Sequence, residues 1–171
     1  VTITDANGCQ NMASAVVGVF SLPNVNAGAD FTVCPGDSEP LNAIGASTYL
    51  WNVNTTLSQL NIPNPVATPT APTSYIVTGT DINGCQDKDT LFASLFTLPT
   101  INAGPDGQVC VGDSWPITAI GGVSYLWNSH PSLSALNVAN PTATPTSQTE
   151  YFVTGTDANG CSNIDSITIS T

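Results

Sequence analysis

Five cysteines supply most of the covalent chemistry open to this sequence. Cys9, Cys85 and Cys161 stand 76 residues apart, and so do Cys34 and Cys110. Thiols at recurring positions either pair as disulfides in an oxidising compartment or hold zinc. Zinc sites of this size use closely spaced ligand pairs. No C-x-x-C is present, and the single histidine, His130, falls where the previous repeat has Asn54. The five thiols therefore read as disulfide formers.

The carboxylates recur too. Asp30, Asp37 and Asp81 return as Asp106, Asp113 and Asp157. Asp81-Ile82-Asn83-Gly84 resembles half of a calcium loop but lacks the later ligands. The plainer account is turn chemistry, because Asp and Asn bond their own backbone in turns. Calcium is the only cofactor these residues bring into view. Asn54-Thr55-Thr56 is a lone N-linked sequon. For catalysis, no Ser/His/Asp or Cys/His set can be assembled in both repeats, so the chain does not read as an enzyme. A Lys–Asn cross-link in every repeat would need a lysine in every repeat, but Lys88 is the only one and its counterparts are Met12 and Ile164.

The elements that must position these groups follow the same period. Asn26-Ala27-Gly28 recurs as Asn102-Ala103-Gly104, and Tyr49-Leu50-Trp51-Asn52 as Tyr125-Leu126-Trp127-Asn128. The turn Thr80–Cys85 is nearly identical at Thr4–Cys9 and Thr156–Cys161. A constant period marks a tandem array. It divides the chain into the C-terminal strands of a preceding repeat (1–22) and two repeats (23–98 and 99–171). This division reads as a segment of a longer protein, with the partner of Cys9 outside it.

Period-2 alternation and frequent Pro and Gly predict strands and no helix. In Ser74–Thr80, Tyr75 and Val77 share one face, and Ile76 and Thr78 the other. Tyr49 and Trp51 share a face. Asn83-Gly84 predicts a tight hairpin with positive φ, and Pro63, Pro65, Pro69 and Pro72 restrict the middle of the repeat to edges and loops. About seven short strands with a Trp on the third suggest an immunoglobulin-like sandwich. The aromatics Tyr49, Trp51 and Tyr75 then belong to the core and not to a sugar-binding platform. Trp115 replaces Glu39 of the first repeat, so it lies outside the shared core set and reads as a surface residue. The junctions Leu22-Pro23 and Leu98-Pro99 have no Gly/Ser tether, which predicts a semi-rigid rod.

Twelve acidic residues against one Lys and no Arg give a formal charge of −11. Phosphate binding needs clustered basic residues, so nucleic acid is excluded as a partner. No apolar run approaches the roughly 18 residues of a membrane span. A polar surface poor in charge suits an extracellular setting.

The ordered set NAGADFTVCPGDS, SYLWN, ATPT, SYIVTGTDINGC and the Leu-Pro junction resembles the PKD-like and Ig-like repeats of very large secreted adhesins of Bacteroidetes. These include gliding-motility-associated surface proteins exported by the type IX system. The likeness runs the whole length of the chain. It implies an extracellular, repetitive, adhesive or filament-forming role, with neighbouring repeats, other copies in a filament, and a surface or glycan ligand as partners. It also implies O-glycosylation at Asp-Ser/Thr-apolar triplets. Two such triplets stand 76 residues apart, centred on Thr90 and Ser166. The rival reading is a carbohydrate-binding module of a secreted polysaccharide-degrading enzyme. It requires exposed aromatics at the same place in each repeat.

Two disulfide patterns remain open. Within repeats, Cys34 would bond Cys85 and Cys110 would bond Cys161, each staple removing about 4 kcal/mol of denatured-state freedom by the loop-entropy model. Between repeats, Cys34 would bond Cys161. The within-repeat pattern is the expectation, since a small domain gains most from its own staple. Against it, a simple sandwich map places the two turns of one repeat at opposite poles.

Overall fold

The structure, a computed structural model, covers Val1–Thr171 and contains strands and turns but no helix. A hairpin of β1 (Thr2–Thr4) and β2 (Gln10–Met12) comes first. Residues 1–22 are exposed throughout, and the hairpin packs on no core.

The first sandwich is built from β3 (Phe31–Val33), β4 (Glu39–Pro40), β5 (Thr48–Trp51), β6 (Val66–Ala67), β7 (Thr73–Thr80) and β8 (Gln86–Leu95). One sheet has the order β3-β8-β7-β5, and β4-β6 forms the other. The second sandwich repeats this with β9 (Gly107–Gln108), β10 (Trp115–Pro116), β11 (Ser124–Trp127), β12 (Thr142–Ala143), β13 (Thr149–Thr156) and β14 (Ser162–Ser170). Its sheets are β11-β13-β14-β9 and β10-β12. Both units are immunoglobulin-like sandwiches, as the alternation and the Trp position require.

The long strands alternate as a half-buried sheet must. Tyr75 and Val77 of β7 and Leu91 and Ala93 of β8 are buried, with Ile76, Thr90 and Phe92 outside. Trp51 and Trp127, each 1% exposed, anchor the two cores. Their indole N–H groups donate to the carbonyls of Ile62 and Val138. A buried indole needs such a partner, and this one fixes the proline-rich middle of each repeat against the core.

The Asn-Ala-Gly segment moves the chain between sheets. Asn26 bridges Ile44 on the β4 side, and five residues later β3 runs parallel to β8 in the opposite sheet. Gly28, at φ +102°, makes the bend, and its N–H is held by the Asn26 carboxamide at 2.7 Å. The Ala27 N–H donates to Asp89 on β8 at 2.8 Å. Gly104, Asn102, Ala103 and Asp165 reproduce all of this in the second repeat.

Two expectations change. The Asp-x-Asn-Gly turns take positive φ only at glycine (+83° at Gly84), so Asn83 does not supply a second positive φ. The Asp81 carboxylate instead accepts the N–H groups of Asn83 and Cys85, both at 2.8 Å, and holds a wider turn closed. Trp115 is half-buried against the second core and is not a free surface residue. Gly107 explains it. A Cβ there would meet the Trp115 ring at 2.6 Å. In the first repeat the same two positions hold Phe31, which packs on the core, and Glu39. The ring has moved from one strand to the next along the chain, which lies in the opposite sheet, and the position it left has shrunk to glycine.

Gly107→Phe is therefore expected to overpack the second sandwich by about 1–3 kcal/mol. Adding Trp115→Glu, which recreates the pair of the first repeat, is expected to recover most of the loss. Urea unfolding of the two single variants and the double variant measures this. Additive losses would show that the two positions are independent.

Candidate functional site

The one covalent bond between side chains joins the two repeats. Cys34 is bonded to Cys161, with Cα atoms 5.5 Å apart, while Cys9, Cys85 and Cys110 are free. This corrects the expected Cys34–Cys85 and Cys110–Cys161 pairing. The register gives the reason. Parallel pairing of β3 with β8 sets Val33 opposite Leu95, so Cys34 lies at the end of β8. Cys85 lies in the turn before β8 begins. Ten residues of strand separate the two levels, roughly 30 Å at about 3.3 Å per residue. A disulfide tolerates less than about 7 Å between Cα atoms.

The same register makes the observed bond possible. The chain leaves the first sandwich beside Cys34, where the Phe96 N–H donates to the Val33 carbonyl at 3.0 Å. It enters the second beside Cys161, where the Asn163 carboxamide donates to the Pro99 carbonyl at 3.1 Å. Only Thr97 and Leu98 lie between these two clamps. The joint thus has two covalent ties running side by side, the backbone and the disulfide. No backbone hydrogen bond crosses it, and the two apolar cores are separate. Cys34, Pro99 and Cys161 are buried at the joint, whereas Cys110 and Cys9 are exposed and Cys85 is half-exposed.

Each half of the joint is a preformed turn. After Cys34, Gly36 takes φ +88° and the Asp37 N–H donates to the Cys34 carbonyl at 3.0 Å. Around Cys161, the Asp157 carboxylate accepts the N–H groups of Asn159 and Cys161 at 2.8 and 2.9 Å. The Asp157 N–H donates to the Cys161 carbonyl at 2.9 Å.

The six candidate calcium ligands are scattered. Asp81 and Asp157 close hairpins. Asp30 accepts the Phe92 N–H at 2.7 Å and Asp106 the Thr168 N–H at 2.8 Å, each tying the approach to β3 or β9 to the last strand. Asp37 and Asp113 stand in the turns after Cys34 and Cys110. No three carboxylate, thiol or imidazole groups come together as a metal would need. Asp89 and Asp165 carry a structural role that the sequence motifs do not single out. They hold the Asn-Ala-Gly bends, and their recurrence alongside those bends was the available signal.

Thr90 is exposed on the outer face of β8. Ser166 occupies the corresponding face of β14, where its hydroxyl donates to Glu150 at 2.9 Å. The sequon residue Asn54 is half-buried, and its carboxamide oxygen accepts the Thr56 N–H and hydroxyl. Thr56 in turn contacts the Tyr75 hydroxyl at 2.7 Å. His130 and Ser132 do the same for Tyr151, through contacts of 2.7 and 2.6 Å. The His–Ser contact is thus the counterpart of an Asn–Thr contact that satisfies a buried tyrosine hydroxyl.

No protein-family model and no curated protein matches the chain. Solved structures similar to it are immunoglobulin-like or fibronectin-like. An I-band fragment of titin, I67–I69, is 10% identical with a TM-score of 0.41, over 89% of this chain and 66% of that one. The fibronectin(III)-like modules of Clostridium thermocellum CbhA are 13% identical with a TM-score of 0.38, over 86% and 93%. The Ig1-2 module of the Drosophila receptor protein tyrosine phosphatase DLAR is 13% identical with a TM-score of 0.37, over 88% and 98%. The chain spans less than two thirds of the titin fragment and, at 46%, less than half of the insect immune protein hemolin.

Position between two domains gives the disulfide a particular energetic effect. With the first sandwich folded, unfolding the second against the staple leaves a closed loop of some 60 residues, a cost of about 4 kcal/mol in the loop-entropy model. Unfolding both costs about 5 kcal/mol in all. The first loss is strongly opposed and the second hardly at all, so the bond makes the two sandwiches unfold together. Cys34→Ser is expected to lower the midpoint and split one urea transition into two. A single transition in the variant, at unchanged midpoint, would refute the coupling.

Scattered carboxylates lead to a further expectation. Calcium at millimolar concentration, or its removal by a chelator, is expected to leave the melting temperature unchanged. A rise of several degrees with calcium would reveal a site formed by rearrangement.

Proposed function

We propose that the chain is a structural segment of an extracellular adhesin or surface filament, in which sandwiches act as spacers stapled end to end. The observation that carries this reading is the doubly tied joint. Two covalent connections a few residues apart restrict twist and bend in a way one linker does not, and a spacer that must hold a distal element away from a cell needs that restriction. A disulfide at the joint also requires an oxidising compartment, which supports a location outside the cell. The partners in this reading are neighbouring repeats, other copies, and a surface or glycan ligand bound elsewhere. Neither nucleic acid nor membrane insertion of this segment has a place in it.

The rival, a carbohydrate-binding module, loses its main support. Trp51, Tyr75, Trp127 and Tyr151 are all buried. The exposed rings in the two sandwiches are Phe92 and Phe152, whose counterparts are Thr168 and Ile76, so no aromatic is exposed at the same place twice. O-linked sugar on Thr90 and Ser166 belongs to the proposal, since both hydroxyls lie on the solvent face of the last strand.

Electron microscopy of the native surface fraction, labelled with an antibody to this chain, tests the reading. The expected image is a fibre with an axial repeat of roughly 35 Å, about the length of the ten-residue β8. Label confined to the cell interior would overturn it, as would label on free particles that bind polysaccharide. Intact-mass analysis of the same material is expected to exceed the bare polypeptide mass by sugar increments that are lost when Thr90 and Ser166 are replaced by Ala. The bare mass in native material would remove the glycan from the proposal.

A further inference from the structure

Three thiols remain free, and two of them sit in turns whose counterparts are bonded. Cys110 occupies the position of Cys34, and Cys85 that of Cys161. The local geometry matches on both sides. Gly112 takes φ +87° and the Asp113 N–H donates to the Cys110 carbonyl at 2.9 Å, as in the Cys34 turn. The Asp81 N–H donates to the Cys85 carbonyl at 2.9 Å, as in the Cys161 turn. Exposure differs: Cys34 and Cys161 are 8% and 1% exposed, while Cys110 is open and Cys85 half-open. Apolar residues flank the free thiols. Val111, next to Cys110, is 68% exposed, and Ile82, in the Cys85 turn, is 91% exposed. In the closed joint these places hold Pro35 and Ala158.

We propose that Cys110 and Cys85 are two halves of a second joint of the same kind. Cys110 takes the hairpin-turn cysteine of another repeat, and Cys85 takes the cysteine that follows the first strand of another repeat. This rests on the stapled-spacer reading and adds direction to it. Each sandwich offers one cysteine at its exit pole and one at its entry pole, and bonds form only exit to entry. Such a heterologous, head-to-tail contact builds an open filament unless its rotation closes a ring. The incoming repeat belongs either to a second copy or to the same polypeptide.

Bond formation proceeds by thiol–disulfide exchange with a low-molecular-weight disulfide. The Cys110 thiolate attacks that disulfide, forms a mixed disulfide and expels one small thiol. The Cys85 thiolate of the incoming repeat then attacks the Cys110 sulfur and expels the second. Two protein thiols lose two electrons and two protons, and one small disulfide becomes two small thiols.

The test uses two variants of the whole chain: Cys9→Ser with Cys85→Ser, which keeps Cys110, and Cys9→Ser with Cys110→Ser, which keeps Cys85. They are mixed in a buffer of reduced and oxidised glutathione. The expected product is a one-to-one dimer whose peptide map contains a Cys110–Cys85 link, absent when either variant is incubated alone. A second arm covers the same-polypeptide source. The whole chain is extended by three residues copied from Phe96–Leu98 and then by a second copy of residues 23–171. Cys110 is expected to bond the Cys85 of the added copy within one molecule. A link in either arm supports the proposal and identifies the source. Symmetrical Cys110–Cys110 or Cys85–Cys85 dimers, or no link in either arm, would overturn it. Mapping the Cys34–Cys161 bond in each sample serves as the folding control. If that bond is present and Cys110 stays unpaired, only the extension fails. If the bond is absent from the unmodified chain, the stapled-spacer reading fails with it.

Discussion

Parallel pairing of a short strand with the far end of a long one governs this molecule. Once Phe31 lies against Ala93 and Val33 against Leu95, the cysteine after Val33 is held at the exit pole of its sandwich. The cysteine in the hairpin turn stays at the entry pole, a strand length away. No pairing within one sandwich can close that gap. Both cysteines are left facing neighbours, and the backbone leaving one sandwich passes beside the first on its way to the second. The joint follows from the register, and the proposed function follows from the joint.

Energetic roles divide accordingly. Each sandwich is held by its own Trp, Tyr and aliphatic core, with hydrogen bonds that satisfy the polar ends of the rings. Asp30, Asp81 and Asp89 spend their charge on backbone N–H groups, at a strand approach, a hairpin and a bend respectively. That leaves the recurring carboxylates dispersed and not gathered. The disulfide adds no core; it removes freedom from the unfolded chain and ties the fate of one sandwich to the next.

Much of this was legible in the residues. Alternation marks Tyr75 and Val77 of β7 and Trp51 of β5 as core, and the 76-residue period separates the shared core from what varies. The opposite poles of the two turns are legible as well, but the stability a small domain draws from its own staple points the other way. Deciding between them needed the register of β3 on β8, which a three-residue strand does not announce in its sequence. The half-burial of Trp115 is hidden in the sequence for a related reason. Its exchange with Glu39 is visible in an alignment of the repeats, but its meaning depends on Gly107, eight residues away and next to it only in the fold. The Asn83-Gly84 pair alone points to a tight hairpin, whereas the Asp81 carboxylate, by accepting the Asn83 and Cys85 N–H groups, holds a wider one.

The central claim is that two ties make one body of two sandwiches. Backbone 15N relaxation of the oxidised chain measures this directly, because overall tumbling is read separately from each sandwich. The account predicts a single anisotropic diffusion tensor for residues 23–171 with the Cys34–Cys161 bond intact, and two separate, faster tensors in Cys34→Ser. Independent tumbling with the bond intact, or a single tensor that survives its removal, would contradict the account.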